Sequence, residues 1–118
     1  MTHDILDTLR LELRRGCLIL AVLAQLRVEH YGYALRKALA EQGIDIDANT
    51  LYPLLRRLEN QGLLESIWRE ENKRNKRFYH LSSAGEGILS QLLQEWNAFD
   101  ASLNRIIGGD FLSDVTRL

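Results

Sequence analysis

The chain has a single cysteine, so no disulfide can close within its 118 residues, and such usage fits a reducing compartment. Cys17 lies in the most apolar stretch, where a buried, inert thiol is expected rather than a redox sensor. Histidine is also sparse: His3, His30 and His80 are scattered, and no metal site is expected from them. Long apolar runs are missing. The longest, residues 17–26 (CLILAVLAQL), falls short of the roughly 18 residues a membrane span needs and is bracketed by Arg14, Arg15 and Arg27. The opening Thr2-His3-Asp4 lacks the basic-then-apolar order of a secretory signal, so a cytoplasmic protein with no membrane partner is expected. Nor is there a nucleophile–base pair, a glycine-rich phosphate loop or a metal motif. The sequence therefore predicts neither an enzyme nor a bound cofactor.

An overall positive charge is absent as well, the net charge being −1. Its distribution is uneven. Between residues 49 and 80 stand Arg56, Arg57, Arg69, Lys73, Arg74, Lys76 and Arg77, against Glu59, Glu65, Glu70 and Glu71. From residue 81 onward only Arg105 and Arg117 oppose Glu86, Glu95, Asp100, Asp110 and Asp114. A basic middle beside an acidic tail is a local footprint for an anionic partner.

What the chain does have is hydrophobic periodicity, in a length suited to one modest core. Ile5, Leu6, Leu9 and Leu13 recur at helical spacing in one stripe; beyond Gly16, residues Leu18, Ile19, Leu20, Val22 and Leu23 surround the helix. A first helix over about 5–26 is predicted, buried at its C-terminal half. Its N-terminal stripe needs another surface, such as a partner subunit. Tyr31-Gly32 interrupts the pattern, and a second helix over about 33–42 places Leu35, Ala38 and Leu39 on one face, with Gly43 as C-cap and Ile44 folding back. The third helix, NTLYPLLRRLENQG, takes Asp47 or Asn49 as N-cap and ends at Gly62, with Pro53 near the first turn, where a missing N–H costs least. From 64 to 81 the period becomes two, which reads as a β-hairpin around the polar tip ENKRNK. The last helix opens at Ser83 with capping-box spacing to Glu86. It carries Ile88, Leu89, Leu92, Leu93, Trp96, Phe99, Leu103, Ile106 and Ile107 over about 24 residues to Gly108 and Gly109. One small subunit cannot cover so long a stripe, and dimerisation is the economical explanation.

This order predicts a mostly α protein with a small β-hairpin (α+β): a winged helix-turn-helix plus a long C-terminal dimerisation helix. Residues 1–82 form the DNA-binding part, 83–109 the dimerisation helix and 110–118 a short tail. On the third helix Leu51, Leu54, Leu55 and Leu58 share the core face, while Asn49, Pro53, Arg56 and Asn60 point away, flanked by Tyr52 and Arg57. Arg pairs bidentately with guanine and Asn with adenine, and Thr50 with the helix N-terminus suits a phosphate. The hairpin adds Lys73, Arg74, Lys76 and Arg77, suited to backbone or minor-groove contact with double-stranded DNA. Solvation alone explains either basic element taken singly; two beside one expected groove favour DNA. The competing reading is a winged helix that binds proteins and no DNA, for which the third helix should expose apolar or mixed-charge residues.

The chain resembles the PadR family of bacterial transcriptional regulators through YGYALRKAL from Tyr31, TLYPLLRRLENQGLL from Thr50 and RFYHLSSAGEGIL from Arg77. The single C-terminal helix is similar to that of the compact subfamily. The resemblance implies a homodimer in which the last helix packs on the partner's first helix. It also implies repression at a promoter palindrome, relieved by a small aromatic or lipophilic compound near the dimer interface. It places Thr50, Tyr52, Arg56 and Arg57 at DNA-facing positions and residues 73–77 in the wing. The interface it implies draws on Ile5, Leu6, Leu9, Leu89, Leu92, Trp96, Phe99 and Leu103. The effector platform would be Trp96 with Phe99, lined by Leu9, Leu13, Leu92 and Leu93; the alternative is that both aromatics are plain interface core. Family wings usually carry glycine at the tip, and REENKRNK has none.

Overall fold

The computed structural model describes residues 2–108. In chain order they form α1 (Thr2–Gln25), β1 (His30–Tyr31), α2 (Gly32–Glu41), α3 (Ala48–Asn60), β2 (Leu64–Glu71), β3 (Arg74–Leu81) and α4 (Ser83–Ile107). This is the expected α+β winged-helix arrangement. The expected tail, 110–118, lies outside the described residues.

The two halves of α1 differ as the periodicity requires. Residues 3–16 are all exposed, whereas Val22 and Leu23 near the helix end, and Leu26 just beyond it, are fully buried. Those three join Leu35 and Leu39 of α2, Leu51, Leu55 and Leu58 of α3, Leu64, Tyr79 and Leu81 of the sheet and Leu89 of α4 in one core. The N-terminal half of α1 stands clear of that core, and the described chain is accordingly elongated, 55 × 33 × 22 Å.

Helices α2 and α3 end in the same way. Gly43 and Gly62 take the left-handed conformation, with φ +85° and +80°. The next amide then reaches back: Ile44 N–H donates to Leu39 C=O at 2.9 Å and Leu63 N–H to Leu58 C=O at 3.0 Å. Each turn satisfies a terminal carbonyl and lays an apolar residue, Ile44 or Leu63, against the core. At the start of α3 the cap is Asp47, not Asn49: its carboxylate accepts from Thr50 N–H at 2.8 Å. Asn49 is thereby left in the first turn with its side chain exposed.

Three expectations are corrected. Pro53 sits in the second turn of α3 rather than near the first, so the ladder bond it cannot donate is the one to Asn49 C=O. Pro53 and Asn49 are both exposed, which leaves that carbonyl to solvent. The cap of α4 is Ser82, one residue earlier than the capping-box spacing implied; its Oγ accepts from Gly85 N–H at 2.9 Å and donates to Gly62 C=O at 2.6 Å. The hairpin, finally, is part of a three-stranded antiparallel sheet ordered β1-β3-β2. Strand β1, two residues long, pairs His30 with Tyr79 and Tyr31 with Phe78. No period can show in two residues.

Candidate nucleic-acid interface

Amphipathic burial aims α3. With Leu51, Leu55 and Leu58 buried, helical geometry turns Asn49, Thr50, Tyr52, Pro53, Arg56, Arg57 and Asn60 to the surface, and all seven are exposed. Tyr52 is the most enclosed of them, resting against Gly32 at the start of α2. Leu54, expected in the core, is half-buried at its edge.

The wing is tighter than the sequence pattern implied. Strands β2 and β3 pair from Leu64 with Leu81 out to Glu71 with Arg74, so the turn consists of Asn72 and Lys73 alone. Both have positive φ, 54° and 65°. That is the geometry for which two-residue hairpin turns favour Asn-Gly, because it matches the strand twist. The glycine-free tip is thus accommodated with a lysine where glycine is preferred. Lys73→Gly should stabilise the hairpin by about 1 kcal/mol by removing the left-handed penalty. If Lys73 meets a phosphate, the same change weakens duplex binding and makes its salt dependence shallower by about one ion. Thermal melts and titrations at several salt concentrations read both effects.

The basic residues of this region divide into two groups. Arg56, Arg57, Lys73 and Arg74 are exposed, and among the described residues no carboxylate pairs with them. The other three are engaged within the fold. Arg69 binds Glu29 at 2.5 Å and lies 4.0 Å above the Phe78 ring. Lys76 stands 4.2 Å over Tyr31 and 3.5 Å from Glu71. Arg77 binds Glu59 at 2.6 Å and Ser66 at 2.9 Å. Of the four wing cations named from sequence, therefore, Lys73 and Arg74 are free at the tip, and Lys76 and Arg77 are held at the sheet. Beside Arg77, burial raises the Tyr79 phenol above its ordinary 10.0, with Arg77 pulling it the other way. Tyr79 therefore stays neutral and adds no anion to this surface at neutral pH.

Sequence reasoning missed Ser66 and counted Glu59 only among the acids that oppose the basic segment. Nothing local signals their partnership with Arg77, since 18 residues separate Glu59 from it.

A second surface lies between α1 and α4. Ile5, Leu6, Leu9 and Leu13 of α1 are exposed, as are Leu93, Trp96, Phe99 and Leu103 of α4. Leu92 is half-buried. Leu89, expected at a subunit interface, is instead 4% exposed within the subunit's own core, since the first turns of α4 pack on the winged helix. An open groove of about 540 Å³ separates the helices, lined among others by Leu13, Cys17, Leu92, Trp96 and Phe99. Leu9 and Leu93 are not in its lining. Cys17, expected to be buried, is half-buried at this groove. No helix among the described residues is long and apolar enough to cross a membrane.

The family model for the transcriptional regulator PadR-like family matches residues 19–91, from within α1 to within α4. A transcriptional regulator of Mycobacterium tuberculosis is 33% identical over 81 residues, which is 69% of this chain and 73% of that protein. Among solved structures, a PadR family transcriptional regulator from Eggerthella lenta aligns with a TM-score of 0.83 at 43% identity, covering 90% of this chain and 95% of the other. A PadR-like transcription factor from Bacteroides fragilis aligns with a TM-score of 0.74 at 29% identity, covering 85% and 99% respectively.

Proposed function

The chain belongs to the PadR-like family of transcriptional regulators, and on that premise we propose that it is a cytoplasmic repressor that binds a palindromic promoter site in duplex DNA as a homodimer. One observation carries the reading: the four unpaired cations of the middle segment occupy only the outward face of α3 and the wing tip. These are the two elements a winged helix lays on the major groove and on the adjoining backbone. The α3 face supplies the reading groups, Asn49, Arg56, Arg57 and Asn60, with Thr50 and Tyr52 at the phosphate edge. Lys73 and Arg74 add affinity without sequence information. A protein-binding winged helix would expose apolar groups on α3, and the exposed residues there are amides and guanidiniums apart from Pro53, Thr50 and Tyr52.

The test is a gel-shift titration on the promoter region upstream of the chain's own gene, against a scrambled duplex of equal length. Arg56→Ala should weaken binding and relax preference at one base position, by about 1–3 kcal/mol. Equal affinity of the parent for both duplexes would remove the regulator reading. Unchanged specificity in the variant would remove Arg56 from the groove.

The groove between α1 and α4 supports a further part of the reading, release by a planar aromatic or lipophilic effector. Trp96 and Phe99 present large apolar faces to a space of drug-like size. Planar aromatics should quench Trp96 fluorescence, and the quenching should vanish in Trp96→Ala while Trp68 emission persists. No quenching across a broad panel of such compounds would leave the two aromatics as plain interface core.

A further inference from the structure

Glu59 is the one acidic residue of α3, and it stands among Arg56, Arg57 and Asn60. On a helix that approaches DNA, a carboxylate lowers the positive potential that attracts phosphate. Its contacts account for its presence. One oxygen accepts from Arg77 Nη2 at 2.6 Å, and the other accepts from Ser66 Oγ. The same Ser66 Oγ accepts from Arg77 Nε at 2.9 Å. The triangle thus joins one residue each from α3, β2 and β3. Both charged side chains are largely withdrawn from water, 22% exposed for Glu59 and 35% for Arg77, where charge-assisted hydrogen bonds hold better than at an open surface. The guanidinium also lies 5.4 Å from the Tyr79 ring and 5.7 Å from the Trp68 ring.

The position of the triangle matters as much as its strength. Ser66 is half-buried, and every residue of β2 beyond it is exposed. Returning along β3, burial resumes at Lys76 and Arg77. The triangle therefore sits where the hairpin leaves the body of the subunit. The turn lies about 13 Å beyond Arg77 and about 20 Å beyond Ser66, at roughly 3.3 Å per residue. Rocking of about 10° at the base carries the tip about 3 Å, enough to break a hydrogen bond to phosphate. On the other face of the sheet, Arg69 to Glu29 and Lys76 to Tyr31 brace the hairpin toward β1, not toward α3.

We propose that Glu59, Ser66 and Arg77 form a clamp that fixes the angle between the wing and α3, and that Arg77 serves DNA binding through this clamp rather than by touching phosphate. These are positioning residues, and their bearing on DNA rests on the regulator reading given above. The clamp makes a prediction of opposite sign to simple electrostatics. Glu59→Gln removes a negative charge from the DNA-facing side and frees Arg77, yet affinity for the promoter duplex should fall about tenfold.

The test compares the full-length parent with Glu59→Gln, Arg77→Gln, the double variant and Ser66→Ala. Amide hydrogen exchange without DNA is followed along β2 and β3, and promoter-duplex affinity is measured at several salt concentrations. Each charge variant should raise exchange of the outer wing amides about tenfold relative to those of α3. Each should lower affinity about tenfold with the salt slope retained, and the double variant should be no weaker than either single one. Tighter binding by Glu59→Gln, or a salt slope reduced by about one in Arg77→Gln, overturns the clamp, the latter by making Arg77 a phosphate contact. So does unchanged wing exchange, a result that stands even if the parent binds no DNA and the regulator reading itself fails. Should the charge variants not fold, Ser66→Ala decides: a two- to threefold loss of affinity with faster wing exchange supports the clamp, and parent behaviour overturns it.

Discussion

Leu9→Glu combined with Phe99→Glu is expected to yield a folded subunit that no longer dimerises and has lost at least about a hundredfold in affinity for the promoter duplex. Leu9 and Phe99 are 56% and 68% exposed in the single subunit, so a charge at either costs that subunit little. In the proposed homodimer, joined through a two-fold seam between α1 and α4, the same positions would be buried. Each aromatic or leucine there contributes about 2 kcal/mol, and symmetry presents every substituted position twice. Replacing that burial with desolvated carboxylates opposes association by more than about 6 kcal/mol, roughly four orders of magnitude in the dimer constant. A monomer reaches only one half-site of a palindrome, and the contribution of the second half-site is lost with it. Sedimentation or light scattering reads the mass, circular dichroism the retained helix, and gel shift the affinity. A dimer persisting at micromolar concentration would place the subunit contact on another surface.

Gly85→Ala should cost the fold about 3 kcal/mol, lowering its melting temperature by roughly 10–20 °C. Gly85 is buried in the first turn of α4, beneath the backbone carbonyl of Leu63. A Cβ there would fall well inside contact distance of that oxygen and 2.6 Å from Leu81 Cδ1. A flexible side chain can turn aside, but the Leu63 carbonyl cannot: it accepts from Ser82 N–H at 3.0 Å and so holds the chain at the end of α3 against the start of α4. Any shift therefore strains the junction that seats α4 on the winged helix. Gly87→Ala is the control. Nothing lies within 4 Å of a Cβ at Gly87, and alanine there should be neutral or stabilising by up to about 1 kcal/mol. Similar melting temperatures for the two variants would mean that the approach at Gly85 relaxes at little cost.

The elements with a long period were legible from sequence. Helix α4 was bounded within a residue at either end, because nine apolar residues three or four apart and a terminal glycine signal a helix without reference to the rest of the chain. The outward face of α3 was legible for the same reason, since three buried leucines fix the opposite side of a helix. Positions whose partners are distant in sequence were not. Strand β1 exists only because β3 lies beside it, and Leu89 belongs to the core only because α4 begins against the winged helix. The polar tip had no period to show where pairing stops, and the strands run up to a two-residue turn.

The sequence by itself determined that the middle of the chain is basic, that α3 turns amides and guanidiniums outward, and that α1 and α4 carry more apolar surface than one subunit covers. Periodicity and composition are local properties, and they survive without coordinates. Only the tertiary structure decided which of those cations are free. Seven basic residues look equivalent in the sequence, but Arg69, Lys76 and Arg77 are held by Glu29, Glu71 and Glu59. Arg56, Arg57, Lys73 and Arg74 are left exposed. Ion pairing depends on separation in space, and the packing of α3 and of the segment leading into β1 against the hairpin brings residues 18 and 40 positions apart within hydrogen-bonding distance.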